Sequence, residues 1–471
     1  MLTLQTVLEA LTGSPYPGAT QVITDAAVDS RLVIPGALFV AVPGEKVDGH
    51  TYIAEAFKRG AVVALIEQDV QFECPVLDTR VAISQDGPFK VPLCIRVPNT
   101  VDALQRIAAH RRDQLDVRVI GITGSVGKST TKELVAEVLG RRYRTMKNPG
   151  NLNNEIGLPL SLLKLSDAHE HAVLEMGFYV PGEISFLCSI AKPQVGVVTN
   201  VSQVHMERAG SMEAIVAGKS ELVEMLPAAP VGTAILNYDE PLVREMAKRT
   251  QASVFTYGLA PQADLWASEI EGLGLEGIRF MLHHRGDRLH VKVPMLGRHS
   301  VHTALRAAAV GLVENMTWEQ ILQGMQSGHT QLRLVAVKGP AGSLILDDTY
   351  NAAPPSVIAA LNLLDELDGR KIAVLGDMLE LGDYQERGHR MVGVRAAAVA
   401  DELITVGELA HWIAEEAILA GLPQAKVHAI ESTEDAIQFL RRRVGEGDVL
   451  LVKGSRGLRM ERIVTALEER Q

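Results

Sequence analysis

The stretch VRVIGITGSVGKSTTKELVAEVL, residues 117–139, combines an apolar run, a glycine-rich turn and a second periodic segment. The apolar residues of VRVIGIT predict a buried strand, and the apolar residues after the turn fall on one face of a helix: Leu134, Val135, Val138 and Leu139. In this order, the backbone N–H groups of the turn and the positive end of the helix form a site for an anion. The stretch therefore predicts a phosphate-binding loop in an α/β domain.

The predicted loop assigns a role to each of its polar side chains. Lys128 supplies a positive charge to phosphate, and Ser129 or Thr130 offers a hydroxyl to Mg²⁺. A tight turn with a solvated lysine is the alternative interpretation, but the flanking strand and helix favour the nucleotide loop. The loop is short, because Ile122 stands where the usual G-x-x-x-x-G-K-[ST] spacing has its first glycine. The predicted ATP-binding residues of the loop are Gly124, Ser125, Val126, Gly127, Lys128, Ser129 and Thr130.

Strand and helix patterns continue on both sides of the loop and predict three α/β domains. Residues 1–97 form a small α/β unit, and residues 98–313 alternate buried strands with helices, as in a doubly wound parallel sheet. Residues 314–471 form a third, Rossmann-like α/β series. Within the central domain the period changes over residues 253–294, where IRFML and LHVKV predict a small antiparallel insertion. A length of 471 residues suits two or three domains.

Composition excludes several classes of protein. With 47% hydrophobic and 22% charged residues, and no apolar run that reaches the ~18 residues of a membrane helix, the chain is typical of soluble globular proteins. The net charge of −11 argues against a nucleic-acid partner. The amino terminus lacks the basic start and apolar stretch of a signal peptide. Three widely spaced cysteines predict reduced thiols. We expect a cytoplasmic monomer without membrane insertion.

Six further motifs follow the loop and identify a resemblance to a known family. Together with the short loop, they resemble the Mur ligases and their folylpolyglutamate synthetase relatives. The amino-terminal DSRLVIPGALFVAVPGEKVDGH, residues 29–50, is similar to the UDP-substrate domain of that family. The motifs are NLNNEIGLPLSLL (151–163), EMGFYVPGEISFL (175–187), NVSQVHMERAGSMEAIVAGKSELVEML (200–226), DDTYNAAPPSV (347–357), LGDMLELG (375–382) and VKGSRGLRMERI (452–463).

The resemblance implies an ATP-dependent amide ligase of peptidoglycan precursor synthesis. NNEIGLP favours the branch of the family that adds D-alanyl-D-alanine to UDP-N-acetylmuramoyl-tripeptide. In that reaction the peptide carboxylate takes the γ-phosphoryl group of ATP, and an amine then attacks the acyl phosphate. Such chemistry depends on positioning and charge neutralisation more than on a protein nucleophile.

The resemblance also implies a metal site at one edge of the central sheet. Glu175 follows the predicted strand AVLE and His205 follows VGVVTN, so both are expected at the carboxyl edge, where open α/β sheets bind ligands. Alone, Glu175 would be a solvated carboxylate and His205 a loop histidine. With Ser129 they are implied ligands of Mg²⁺, of which two ions are expected. Glu175, His205 and Lys128 belong to the implied catalytic set.

Lys219 lies fourteen residues after His205 on a predicted helix. An ammonium group cannot ligate Mg²⁺, because it is a cation without a lone pair. On spacing alone, a surface lysine paired with Glu213 or Glu221 is favoured. In the family the matching lysine is carbamylated by CO₂, which turns the cation into an anion with oxygen donors. The resemblance therefore implies that Lys219 is catalytic and, as a carbamate, a metal ligand.

The resemblance implies further substrate contacts in all three domains, although a polar turn or helix cap would explain several of the same residues. Asn151 and Asn154, with Asn153 between them, would face the nucleotide substrate and the metal region. The UDP group would be bound by Ser30, Arg31, Asp48, Gly49 and His50. From the third domain, Arg333, Asp348 and Asn351 would reach ATP, and Lys453, Ser455 and Arg456 would bind the dipeptide carboxylate.

The motif GRHSVHTALRAAAV, residues 297–310, departs from the family pattern. In relatives, two asparagines commonly occupy the positions of Ser300 and Thr303 and contact the adenine of ATP. The adenine contacts are therefore open in this chain, with Arg298 and His299 as remaining candidates. Because basic residues at a helix start are common for structural reasons, a structural role is the alternative for both.

Three other functions compete with the dipeptide ligase. A ligase of the branch that adds a single amino acid to UDP-muramoyl-dipeptide would share the scaffold, but its typical D-N-P-R signature is absent. A non-catalytic nucleotide-binding regulator would have no need of the set Lys128, Glu175, His205 and Lys219. A phosphotransferase would leave phosphate on an isolated product instead of releasing it.

Overall fold

The computed structural model describes residues 1–44, 47–71, 73–83, 89–203, 206–327 and 334–468. Within these residues, three separate sheets of five, nine and six strands follow one another along the chain. Most strand pairs are parallel, and helices connect them, which confirms the predicted three-domain α/β fold. The boundaries after residues 97 and 313 stay predictions. No helix in the described part of the chain is both long enough and apolar enough to cross a membrane.

The first domain is built on a five-stranded parallel sheet. Its strands are β1 (Ala26–Ala27), β2 (Leu38–Val40), β3 (Val63–Ile66), β4 (Val76–Asp78) and β5 (Leu93–Arg96). They lie in the order β1-β2-β3-β5-β4. The helices are α1 (Leu4–Thr12) and α2 (Ile53–Lys58), and α3 (Thr100–Asp113) follows the predicted boundary after residue 97. The apolar runs ALFVAV and AVVALI give the two central strands, β2 and β3, which are fully buried.

The second domain carries the phosphate-binding loop in a nine-stranded sheet. Its strands are β6 (Arg118–Thr123), β7 (Thr145–Lys147), β8 (His171–Glu175), β9 (Val195–Val198), β10 (Thr233–Asn237), β11 (Ser253–Gly258), β12 (Leu265–Gly272), β13 (Ile278–His284) and β14 (Asp287–Val293). The order is β14-β13-β12-β11-β10-β9-β6-β8-β7. The helices are α4 (Lys128–Leu139), α5 (Gly157–Leu162), α6 (Glu183–Ala191), α7 (Met206–Ala209), α8 (Met212–Glu224), α9 (Pro241–Arg244) and α10 (Val301–Val313). Helix α11 (Trp318–Gln326) follows the predicted boundary after residue 313.

The antiparallel part of this sheet is smaller than predicted. Within residues 253–294, β11 continues the parallel sheet and pairs in parallel with both β10 and β12. Only the pairs β12–β13 and β13–β14 are antiparallel. The first residues of β11 are exposed, as in the strands at the edge of the sheet. Its direction is nevertheless that of the parallel strands. The antiparallel strands extend the edge of the central sheet.

The third domain is built on a six-stranded sheet. Its strands are β15 (Val335–Lys338), β16 (Leu344–Asp347), β17 (Arg370–Gly376), β18 (Glu402–Val406), β19 (Val427–Ile430) and β20 (Asp448–Lys453). They lie in the order β15-β16-β20-β17-β18-β19, and only β15 is antiparallel to its neighbour. The helices are α12 (Pro354–Asp365), α13 (Gln385–Val399), α14 (His411–Leu419), α15 (Thr433–Leu440) and α16 (Glu461–Leu467).

The strand order places the predicted site residues together. Strand β6 lies between β8 and β9, so the loop after β6, Glu175 at the end of β8 and the segment after β9 share one carboxyl edge. In the third domain, β16 and β20 are neighbours, so Asp348 and Lys453 also meet at a carboxyl edge.

Candidate active site

A cavity of about 590 Å³ lies between the carboxyl edges of the second and third domains. The second domain contributes the phosphate-binding loop and Glu175, and the third contributes residues that follow β16 and β20. The cavity therefore brings together residues that are more than 200 positions apart in the sequence. Among the predicted site residues, those that line it are Ser125, Val126, Gly127, Lys128, Thr130, Asn151, Glu175, Asp348, Asn351, Lys453, Ser455 and Arg456.

The phosphate-binding loop is held in place by the segment that follows β9. The backbone N–H of Ser125 donates to the carbonyl oxygen of Asn200 at 2.9 Å, and the N–H of Val126 donates to the Asn200 side-chain oxygen at 2.9 Å. The Thr199 hydroxyl donates to the Val126 carbonyl at 2.7 Å. Gly127 has a φ of +82° and starts α4, so the first N–H groups of the helix face the cavity side of the loop.

Gly124 allows the loop to approach Thr199 closely. Its φ is +144°, and a Cβ atom at this position would stand 1.9 Å from the Thr199 hydroxyl oxygen. Neither the backbone angle nor the available space admits a larger residue. The loop conformation therefore depends on a glycine at this position.

We expect Gly124→Ala to destabilise the protein by at least about 2 kcal/mol more than Gly286→Ala does. Gly286 also has a positive φ, of +94°, but no atom lies within 4 Å of its Cβ position, so this control carries the backbone strain without the clash. Urea unfolding of the wild type and of each variant measures the two losses in the free energy of unfolding. Equal losses in the two variants would contradict the packing of the loop against Thr199.

Lys128 and Glu175 lie on the two sides of the loop. The Lys128 ammonium donates to the carbonyl oxygens of Gly124 at 2.8 Å and Ser125 at 3.2 Å, so it folds over the loop. Glu175 is 1% exposed, and the Ser129 hydroxyl donates to one of its carboxylate oxygens at 2.5 Å. The Asn153 side chain donates to the other oxygen at 2.8 Å. The Glu175 carboxylate is thus fixed at both oxygens beside the phosphate-binding loop.

This arrangement suits a divalent cation of the Mg²⁺ type. The Ser129 hydroxyl and the Glu175 carboxylate are hard oxygen donors, and Mg²⁺ is commonly held by one or two protein oxygens together with phosphate and water. In the part of the chain that the structure describes, no group of three or more His, Cys, Asp and Glu side chains is placed to bind a metal. His205, the third predicted ligand, lies outside the described residues.

Lys219 is buried in α8 with 1% exposure. Its ammonium lies 4.7 Å from the centre of the Phe178 ring. Burial, and secondly the charge of Lys128, hold the pKa of Lys219 well below its usual range, which favours the neutral amine. The alternative interpretation as a surface lysine paired with Glu213 or Glu221 is wrong, because Lys219 is buried. The Glu221 carboxylate accepts the N–H groups of Gly182 and Ser185.

The third domain presents an ion pair to the cavity. The Lys453 ammonium is 2.7 Å from an Asp348 carboxylate oxygen and donates to the Asn351 carbonyl at 2.8 Å. The buried Ser455 hydroxyl accepts the N–H of Leu379 at 2.9 Å, which fixes the turn after β20. Arg456 is exposed beside the cavity. Arg333 lies outside the described residues.

The predicted UDP-binding residues do not line this cavity. Arg31 forms an exposed ion pair with Asp29 at 2.6 Å. A carboxylate oxygen of Asp48 accepts the backbone N–H of His50 at 2.9 Å and lies 2.6 Å from the ring nitrogen Nδ1 of His50. These hydrogen bonds lower the pKa of Asp48. The five residues lie in the two turns that follow β1 and β2: Ser30, Arg31, Asp48, Gly49 and His50. Their role in UDP binding stays a prediction.

The three asparagines after β7 have different positions. Asn151 lines the cavity, and Asn153 binds Glu175 as described above. The Asn154 side-chain oxygen accepts the N–H of Gly157 at 2.9 Å at the start of α5. Asn154 therefore acts as a helix cap in this structure.

The sequence interpretation missed Arg306, a buried residue of α10 that lines the cavity. An arginine within the otherwise apolar run ALRAAAV was the signal in the sequence, but its burial depends on the tertiary structure. Ser300 and Thr303, which stand where relatives commonly have asparagines, form hydrogen bonds within the chain. The Ser300 hydroxyl donates to the Leu296 carbonyl at 2.7 Å, and the Thr303 hydroxyl accepts from Arg306 at 3.0 Å.

The chain is similar to known proteins along nearly all of its length. Sequence models of the Mur ligase family match it in three places: the Mur ligase family, catalytic domain over residues 23–112, the Mur ligase middle domain over 122–311, and the Mur ligase, glutamate ligase domain over 332–456. The UDP-N-acetylmuramoyl-tripeptide--D-alanyl-D-alanine ligase of Bacillus subtilis (strain 168) is 36% identical over 452 residues, which cover 95% of this chain and 94% of the relative.

Solved structures show the same likeness. A crystal structure of MurF from Acinetobacter baumannii superposes with a TM-score of 0.84 at 29% identity and covers 100% of both chains. The MurF ligase from Thermotoga maritima in complex with ADP superposes with a TM-score of 0.77 at 28% identity and covers 97% of both chains.

Proposed function

The chain belongs to the Mur ligase family, and from this we propose that it joins D-alanyl-D-alanine to UDP-N-acetylmuramoyl-tripeptide in an ATP-dependent reaction of peptidoglycan precursor synthesis. The observation that carries the proposal is the cavity itself, which holds the phosphate-binding loop on one wall and the Asp348–Lys453 pair on the other. A nucleotide and an amine bound at these walls would meet in one space. The relative from Bacillus subtilis has this ligase name and matches all three domains.

The first step is phosphoryl transfer to the terminal carboxylate of the tripeptide. A carboxylate oxygen attacks the γ-phosphorus of ATP, the bond to the β–γ bridging oxygen breaks, and ADP leaves. The loop N–H groups and the Lys128 ammonium bind the phosphates and neutralise charge on the leaving side. When bound, Mg²⁺ supplies further charge neutralisation, and Ser129, Glu175 and the predicted ligand His205 would hold it.

We further propose that Lys219 acts as a carbamate. The burial that lowers its pKa leaves an amine lone pair available, and a neutral amine is the form that reacts with CO₂. The new N–C bond forms with loss of one proton, and the product is an anion with two oxygens. Near Lys128 this anion would attract the Lys128 ammonium, which a protonated Lys219 would repel.

The second step is attack of the amine on the acyl phosphate. The neutral amine of D-alanyl-D-alanine forms the new C–N bond, the nitrogen loses one proton to water, and phosphate leaves with the former carboxylate oxygen. Asp348 would attract the dipeptide ammonium before it loses its proton, and Lys453 and Arg456 would attract the dipeptide carboxylate. The other branch of the family and the non-catalytic regulator are not favoured, because three relatives that are 32–36% identical over 94–99% of this chain have the name of the dipeptide ligase. The cytoplasmic location and the monomeric state stay predictions.

We expect ADP to form about 100-fold faster with ATP, UDP-N-acetylmuramoyl-tripeptide and D-alanyl-D-alanine together than with either substrate omitted. The acyl phosphate has no acceptor when the amine is missing, so turnover stops after one phosphoryl transfer. A coupled assay for ADP measures the rates. The single-amino-acid branch would be supported instead if UDP-muramoyl-dipeptide and a free amino acid gave the faster rate.

A further inference from the structure

The guanidinium of Arg306 is buried and only partly paired. Arg306 is 4% exposed, its Nε donates to the His302 carbonyl at 3.0 Å, and one terminal nitrogen, Nη2, donates to the Thr303 hydroxyl at 3.0 Å. The other terminal nitrogen, Nη1, has no hydrogen-bond partner among the described residues. A buried N–H group without a partner is rare in native proteins and needs an explanation.

No anion in the described structure balances the Arg306 charge. Among the described residues it forms no ion pair with a carboxylate, and the two side chains that its guanidinium contacts, Thr303 and Tyr257, are uncharged. His302 lies beside it, and desolvation together with the Arg306 charge lowers the pKa of His302 to about 4. The nearest acid of that group, Asp239, is 3.9 Å from His302 and accepts the backbone N–H groups of Leu259 and Ala260. A buried cation without an anion is costly.

The position of Arg306 explains what the missing anion is. Both terminal nitrogens lie 3.6 Å from the point where a Cβ of Gly127 would stand, and Gly127 is the last loop residue before α4. The guanidinium therefore lies beside the N–H groups of the phosphate-binding loop, on the wall of the same cavity. A planar guanidinium with a spare N–H is well suited to a phosphate oxygen.

We propose that Arg306 is a nucleotide-binding residue that donates through Nη1 to a phosphate oxygen that ATP and ADP share, as a second cation beside Lys128. This inference rests on the proposed ATP-dependent function. The nucleotide phosphate supplies the anion that the buried guanidinium lacks, so binding both completes the hydrogen bonds of Arg306 and offsets its charge. The Ser300 and Thr303 hydroxyls already form hydrogen bonds within the chain. The donor that this wall of the cavity offers to an anion is therefore the Nη1 group of Arg306.

The test compares Arg306→Met with a matched control, Arg112→Met. Arg112 is also buried, but its guanidinium donates to the carbonyl oxygens of Leu115, Val117 and Ala191. Calorimetric titration with ADP and thermal unfolding without nucleotide are measured for each protein. We expect Arg306→Met to bind ADP about tenfold or more weakly, with an unchanged or higher nucleotide-free Tm. Arg112→Met is expected to show the reverse, with a lower Tm and wild-type affinity.

Further measurements distinguish the possible causes of a weaker ADP affinity in the Arg306 variant. If Arg306 contacts phosphate, the loss of affinity is the same for ADP and inosine diphosphate, whereas a loss confined to ADP would assign the contact to the base and overturn the proposal. An ADP affinity within twofold of wild type would also overturn it. Arg306→Gln, which removes the charge and keeps a polar group near the Thr303 hydroxyl, replaces the methionine variant if that variant does not fold, with the same criteria. A wild-type protein that binds no ADP would overturn the proposed function as well.

Discussion

Lys128→Ala is expected to lower kcat by about 10³-fold while the protein stays folded. The Lys128 ammonium lies over the loop at 2.8 Å from the Gly124 carbonyl, where it would face the phosphates. The loss falls on kcat, because charge on the bridging oxygen grows only as the bond to the γ-phosphorus breaks. Steady-state kinetics with ATP, UDP-N-acetylmuramoyl-tripeptide and D-alanyl-D-alanine all at saturation measure this change in kcat.

The control for this variant is Lys248→Ala. Lys248 lies in the same domain, with 75% exposure of its side chain, and forms a surface ion pair with Glu245. We expect this variant to keep wild-type activity. Near-native activity of Lys128→Ala, with unfolding at the wild-type temperature, would remove the phosphate-binding loop from the mechanism.

Lys219→Ala is expected to be nearly inactive and to regain part of its activity in the presence of acetate or formate. The alanine leaves space beside Lys128 where a small carboxylate can supply the oxygens of the proposed carbamate. Lys219→Met fills this space with an apolar side chain, so it should be equally inactive and show no rescue. Full activity of Lys219→Ala without any additive would contradict the carbamate.

The pH dependence of the free energy of unfolding tests separately whether burial lowers the pKa of Lys219. In the folded protein without CO₂, burial lowers the pKa of Lys219, so the unfolded chain binds the extra proton and stability rises with pH up to the unfolded pKa, near 10.5. We therefore expect Lys219→Met to be more stable than wild type at pH 7, with a difference that shrinks as the pH approaches 10.5. Urea unfolding in CO₂-free buffer tests this. A difference that does not vary with pH would show that Lys219 is not perturbed.

Local patterns in the sequence were sufficient to predict the parts of the site that lie at strand ends. The apolar period of VRVIGIT and the glycines after it predicted the loop between β6 and α4, and AVLE placed Glu175 at the carboxyl edge of β8. Parallel strands that end together bring such residues to one edge, so their meeting follows from the fold class.

Other features depend on contacts that no local pattern shows. Periodicity predicts that a segment is a strand but not the direction of its neighbour, which is why β11 was assigned to the antiparallel part. The third-domain edge strands, β15 and β19, are short and partly exposed, so they gave no clear apolar run. The burial of Lys219 and Arg306 arises from packing against Phe178 and beside Gly127, both distant in sequence.

The central claim is that the chain forms an amide bond between the tripeptide and D-alanyl-D-alanine through an acyl phosphate. Its most direct test uses UDP-N-acetylmuramoyl-tripeptide with ¹⁸O in the terminal carboxylate, together with ATP and D-alanyl-D-alanine, and mass spectrometry of both products. The account predicts one dipeptide added per tripeptide and one ¹⁸O atom in each phosphate released. Phosphate without the label, or ATP consumed without the longer peptide, would contradict it.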